Sequence, residues 1–147
     1  MHWLQDRIQK VFRDLEQYSG LKGAQFDTTE PTGIWMAQRE ARAALLKGLG
    51  AVVHEAVTRP GVRAGFVEHD GLVLDWAGDG SSADALAALA RTIIRTAREA
   101  GQGAPIGPIR QLVIVGADHK LALVTVGEVT LGFFSRAETP LAEALSR

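Results

Sequence analysis

The last third of the chain carries three apolar runs rich in β-branched residues, Ile109 to Val115, Leu121 to Val126 and Val129 to Ser135. Only the short turns Ala117–Asp118–His119 and Gly127–Glu128 separate them. Turns this tight make neighbouring strands antiparallel. The runs are nearly continuous in hydrophobicity rather than alternating, which predicts a sheet covered on both faces. Upstream, Val62 to Glu68 and Leu72 to Ala77 flank His69–Asp70–Gly71. Asp-Gly suits the positive-φ positions of a tight hairpin. Five strands in this order predict one antiparallel sheet, an α/β (α+β) sandwich with helices on both faces.

Three longer segments and one short one supply those helices. From Trp3 to Tyr18, the residues Leu4, Ile8, Val11, Phe12, Leu15 and Tyr18 fall within an arc of about 120° at helical spacing. That arc must be covered, and packing on its own domain is the simplest cover. Ser19 to Gly33 holds three glycines and a proline and reads as a loop. The expected organisation is therefore an N-terminal helix and linker at 1–33 and a main domain at 34–147. A second helix is expected over Met36 to Thr58. Gly48 and Gly50 inside it permit close packing or a kink, and Pro60–Gly61 ends it. Ser82 is an expected N-cap for a third helix reaching Ala100. Its expected core stripe is Leu86, Leu89, Ile93 and Ala97. A flank of mostly small residues holds Ala83, Ala87, Ala90 and Ile94, and beside it runs the ridge Arg91, Arg95 and Arg98. Gly101 to Pro108 is a loop. Thr139–Pro140 predicts a cap and first-turn proline for a final short helix.

The chemistry is defined mostly by exclusion. The chain has 147 residues, no cysteine and a formal charge of -1. That predicts one soluble domain without disulfides, a thiol nucleophile or cysteine-held metal. The balance lacks the basic footprint of a nucleic-acid binder. No apolar run reaches the ~18 residues of a membrane span. On the first helix, acids balance Arg7, Lys10 and Arg13, so direct membrane binding is not expected. The opening MHWLQDRIQK has no apolar secretory core, which makes the cytoplasm the expected compartment. Gly78–Asp79–Gly80–Ser81–Ser82 precedes a helix but lacks a phosphate-binding lysine. Gly101, Gly103 and Gly107 follow a helix rather than a strand. His2, His54, His69 and His119 share no ligand spacing and read as surface residues, the last two in hairpin turns. Glu68 and Asp70 bracket His69 in a solvent-facing turn. Asp75 and Asp79 are too few carboxylates for a calcium site. No catalytic residue, metal or cofactor is assigned, and a non-enzymatic protein is expected.

Interaction is the remaining theme. Small residues allow close helix approach, and arginine is enriched at interfaces. Were Ile109–Val115 a sheet edge, it would be an association template, and pairing with its symmetry mate would cover it. The stretches GVRAGFVEHDGLVLDWAG (61–78), ADALAALARTIIRTA (83–97) and LVIVGADHKLALVTVGEVTLGFFSR (112–136) resemble the roadblock/dynein light-chain family over about residues 45–147. The resemblance implies a profilin-like roadblock sandwich and a homodimer joined through central helices and third strands. Carried over, it points to Ala87, Ile94, Ile109, Leu112 and Ile114 at the dimer interface. It implies a small Ras-like GTPase as partner, activated or scaffolded. Apart from the resemblance, the positive charge of Arg91, Arg95 and Arg98 makes that ridge the expected partner-facing surface, able to steer an acidic partner. Two other readings stand beside this one. A ligand-sensing module would line a pocket with Phe66, Trp76, Phe133 or Phe134. A GTPase-independent adaptor would use the N-terminal helix as a docking arm.

Overall fold

The computed structural model describes residues 2–25 and 31–146, with side chains described for 2–15 and 39–146. In chain order the elements are α1 (His2–Gln25), α2 (Pro31–Val57), β1 (Val62–His69), β2 (Leu72–Gly78), α3 (Ala83–Gly101), β3 (Gln111–Val115), β4 (His119–Val126), β5 (Val129–Arg136) and α4 (Leu141–Ala144). The strands form one antiparallel sheet in the order β2-β1-β5-β4-β3.

The β1–β2 turn has the expected form. Asp70 and Gly71 have φ of 53° and 83°, the two positive values that match the twist of a two-residue hairpin. The Glu68 carboxylate accepts the Gly71 amide and is buried, not solvent-facing as its turn position suggested.

The expected loop at 19–33 is helical on both sides of residues 26–30, which lie outside the described residues. Helix α1 runs through Gly20 and Gly23, because isolated glycines cost only ~1 kcal/mol each. Pro31 opens α2, where its missing N–H costs no hydrogen bond.

Two hydrophobic clusters sandwich the sheet. On one side α2, α1 and α4 meet through Leu4, Leu49, Val53, Leu131, Phe133 and Leu145, all fully buried. On the other, α3 covers Phe66, Leu121 and Leu123 with Ala90 and Ile94. The stack of Phe66 on Trp76 (5.6 Å, 5°) sits in this second layer.

Helix α1 folds back on its own domain. The Leu4 amide donates to the Leu145 carbonyl at 3.2 Å. Trp3 lies under the Arg59 guanidinium at 3.7 Å, and Arg7 pairs with Glu55. The two glycines inside α2 permit close packing. A Cβ on Gly48 would lie 2.7 Å from Val11 of α1, and one on Gly50 only 2.2 Å from the Asp75 carboxylate of β2.

Several boundaries shift from expectation. Strand β3 begins at Gln111, so Ile109 and Arg110 belong to the approach loop; Pro108, with no amide to donate, cannot extend the ladder. His119 opens β4 instead of sitting in the turn, and its ring stacks on Phe134 at 4.7 Å. Ser82 occupies the N-cap of α3, but only its carbonyl bonds into the helix, to Leu86. Pro140, not Thr139, is the N-cap of α4. Strands β4 and β5 are buried on both faces, whereas β3 alternates half-buried and exposed because it lies at the edge.

Candidate partner interfaces

The free side of β3 is the first candidate. Within the β3–β4 ladder, Thr125 donates to the Arg110 carbonyl at 3.0 Å and Gly116 to the His119 carbonyl at 2.8 Å. Backbone groups alternate sides along an antiparallel strand. Leu112 and Ile114 therefore also point their groups at β4. The amides and carbonyls of Gln111, Val113 and Val115 point outward, where no strand pairs them. Their side chains share the α1–α2 side, since Val113 pairs with Ala122 of that cluster. Val113 and Val115 are 50% and 64% exposed. Leu112 and Ile114 face the α3 side and remain half-buried.

Helix α3 is the second. Its buried stripe is Ala87, Ala90 and Ile94, with Leu86 and Ile93 half-buried and Leu89 46% exposed. This corrects the expected stripe by nearly one residue position. Short alanines bring the helix close to the sheet, and the leucines flare to one side. Ala87 and Ile94 are thus packed largely into their own core, and Ile94 also borders the groove described next. Of the interface residues implied by the resemblance, Leu112 and Ile114 lie on the edge strand and Ile109 in the loop before it.

The arginine ridge occupies the other flank of α3, and all three arginines are exposed. They border a groove of about 640 Å³ against the β1–β2 and β4–β5 turns, whose far wall includes Glu68, Asp70 and Glu128. Arg91 pairs with Asp70 at 3.0 Å. Arg95 and Arg98 have no ion pair among the described residues.

Other polar groups sort into local structure. His54 bonds Asp75 at 3.0 Å across the α2–β2 contact, and His69 bonds the Glu128 carbonyl at 3.0 Å. Spacing along the chain could not reveal the first pair, since 21 residues separate its members. Asp79 accepts the Ser81 amide at 3.1 Å; this bond and that of the Ser81 side chain hold its carboxyl below the usual aspartate range. Among the described residues no group of three metal-ligating side chains occurs, and no helix is long and apolar enough to cross a membrane. Phe66 and Phe133 are fully buried core residues. None of the four aromatics suggested for a sensor pocket lines the arginine groove or the groove beside α1 described below.

Comparison with known proteins decides the family. The Roadblock/LC7 domain profile matches residues 49–133, more than half of the chain. The chain belongs to the Roadblock/LC7 family. Solved roadblock structures agree. A Roadblock/LC7 domain from Streptomyces avermitilis is 28% identical, covering 62% of this chain and 80% of that one, with a TM-score of 0.56. Myxococcus xanthus MglB is 17% identical over 68% and 77% of the two chains, with a TM-score of 0.60. A gliding protein MglB from Thermus thermophilus is 20% identical over 66% and 84%, with a TM-score of 0.54. No curated protein sequence matches the chain. The matched roadblock region begins at Leu49, so α1 and the first two thirds of α2 lie outside it.

Proposed function

We propose that this roadblock protein is a non-catalytic regulator: a homodimer that binds a small Ras-like GTPase and either accelerates or scaffolds it. The free β3 edge carries the reading. The outward-facing backbone groups of three residues and two exposed valines form a self-complementary template, which a two-fold copy would cover. Leu112 and Ile114 would meet their mates on the α3 side. The exposed Arg91, Arg95 and Arg98 would then steer an acidic surface of the GTPase. The tetrameric arrangement described for one MglB structure similar in fold is consistent with self-association of this chain. The expected compartment is the cytoplasm, where such a partner meets its GTP pool.

The test is capture from a lysate of the source organism with tagged protein as bait, with a non-hydrolysable GTP analogue and again with GDP. A small GTPase enriched only with the GTP analogue supports an effector or activator. Equal capture in both states supports a scaffold. Failure of folded, dimeric bait to capture a GTPase in either state overturns the proposal.

A further inference from the structure

A second groove lies beside α1, at the start of β3. Its volume is about 830 Å³; Ile8, Phe12, Ile109, Arg110, Gln111 and Val124 are among its lining residues. Phe12 is 45% exposed there, although Leu4, Ile8, Val11 and Leu15 of the same apolar arc are at least half-buried. Val113 and Val115 continue from Gln111 along the same face of the same strand.

We infer that this groove is the docking site for a second copy of the chain, so that α1 clasps the partner's β3. The inference rests on the β3-edge dimer proposed above. In two-fold antiparallel pairing, the register centred on Val113 sets all three outward-facing residues into hydrogen-bonded pairs: Val113 with its mate, and Gln111 with the partner's Val115. Directly opposed residues share a face. The partner's Val115 therefore lies on the α1 side, next to the residue that borders the groove with Phe12. Beyond Val115 the partner's chain turns back into its own β4, so that turn, which carries Asp118, comes to lie near the Arg110 end of β3. Arg110 and Asp118 are both exposed, and neither has an ion pair among the described residues. Apolar side chains and opposite charges thus meet in one register that the backbone alone selects. Helix α1, outside the matched roadblock region, becomes part of the dimer seam.

The chain has no cysteine, so introduced cysteines report geometry directly. Opposed residues of a hydrogen-bonded antiparallel pair lie about 5.5 Å apart at Cα, within disulfide range. Val113→Cys should link to itself across the two-fold. Phe12→Cys co-expressed with Val115→Cys in a separate chain should also link, while Leu72→Cys on the opposite sheet edge should not link to Val115→Cys. Phe12→Ser should weaken the dimer about tenfold, as expected for losing a buried aromatic contact. A Val113 link without the Phe12–Val115 link, together with unchanged dimer affinity in Phe12→Ser, would overturn the clasp and leave the β3 dimer standing. A wild-type chain that scatters light as a 15.8 kDa monomer, with no Val113 link, would overturn both.

Discussion

The two faces of the sheet are covered very differently. On the α2 side three helices converge, and Leu49, Leu131, Phe133 and Leu145 lose all contact with water. On the α3 side one alanine-rich helix lies mainly over β2, β1 and β5, leaving Leu112 and Ile114 half-buried and Leu89 exposed. Interiors close-packed on every side give stability, whereas apolar positions left exposed or half-buried, Leu89 and Leu112 on the α3 side and Phe12, Val113 and Val115 at the rim of the other, leave surface for partners. The difference teaches where mutations should act on folding and where on association.

The largest contrast is expected between positions 133 and 89. Phe133→Ala should cost ~3–5 kcal/mol in urea unfolding, because it opens a cavity in the fully covered layer. Leu89→Ser should stay within ~1 kcal/mol of wild type, as an exposed position away from the core does. Equal costs would erase the distinction between the faces.

A second contrast lies within the α3 layer. Ile94→Glu places a charge in the core and should destabilise by ~3 kcal/mol or more, read as a fall in Tm. Ile114→Lys, on the half-buried edge, should leave the domain folded but shift light scattering from dimer to monomer. An Ile114→Lys variant that stays dimeric would remove β3 from the interface.

Gly48→Leu tests the third helix on the thickly covered side. Its Cβ and branch would push against Val11, costing ~1–3 kcal/mol for overpacking and raising hydrogen exchange along α1. Unchanged exchange would mean that α1 docks without Gly48. Charge reversal of Arg95 and Arg98 should change stability by under ~0.5 kcal/mol while weakening GTPase capture about tenfold, most strongly at low salt. Unaltered capture would detach the arginine flank from the partner.

The smallest effect concerns Asp79. Its folded carboxyl titrates below its ordinary value of 3.8 because the Ser81 bonds favour the charged form. Its contribution is therefore present above that value and is lost as pH falls through the lower folded value. Asp79→Asn should flatten the acid limb of the stability curve slightly and leave neutral-pH oligomer state unchanged.

Much of the fold was legible because it depends on local signals. Asp70–Gly71 demanded a hairpin, Pro60–Gly61 stopped a helix, and the apolar runs after residue 109 could only be strands. The helical continuation past Tyr18 was not legible, because turn formers at 20 and 23 outweigh periodicity in a short window. The arginine flank could be placed at helical spacing, but the buried stripe beside it was assigned to the leucines. Nothing local says that a helix will approach its sheet through alanine. Glu68 and the His54–Asp75 pair were invisible for a related reason: their environments come from distant segments.

By itself the sequence determined the element order, the antiparallel sheet, the arginine flank and the absence of cysteine chemistry, since periodicity, turn geometry and residue type act over a few neighbours. Tertiary structure alone decided that β3 is the edge, that Ala87 and Ile94 belong to the core, and that α1 lies against α2 with Phe12 left exposed. Those outcomes depend on which surfaces are brought together across the chain, and burial is a property of the assembled layers rather than of any residue in its own segment.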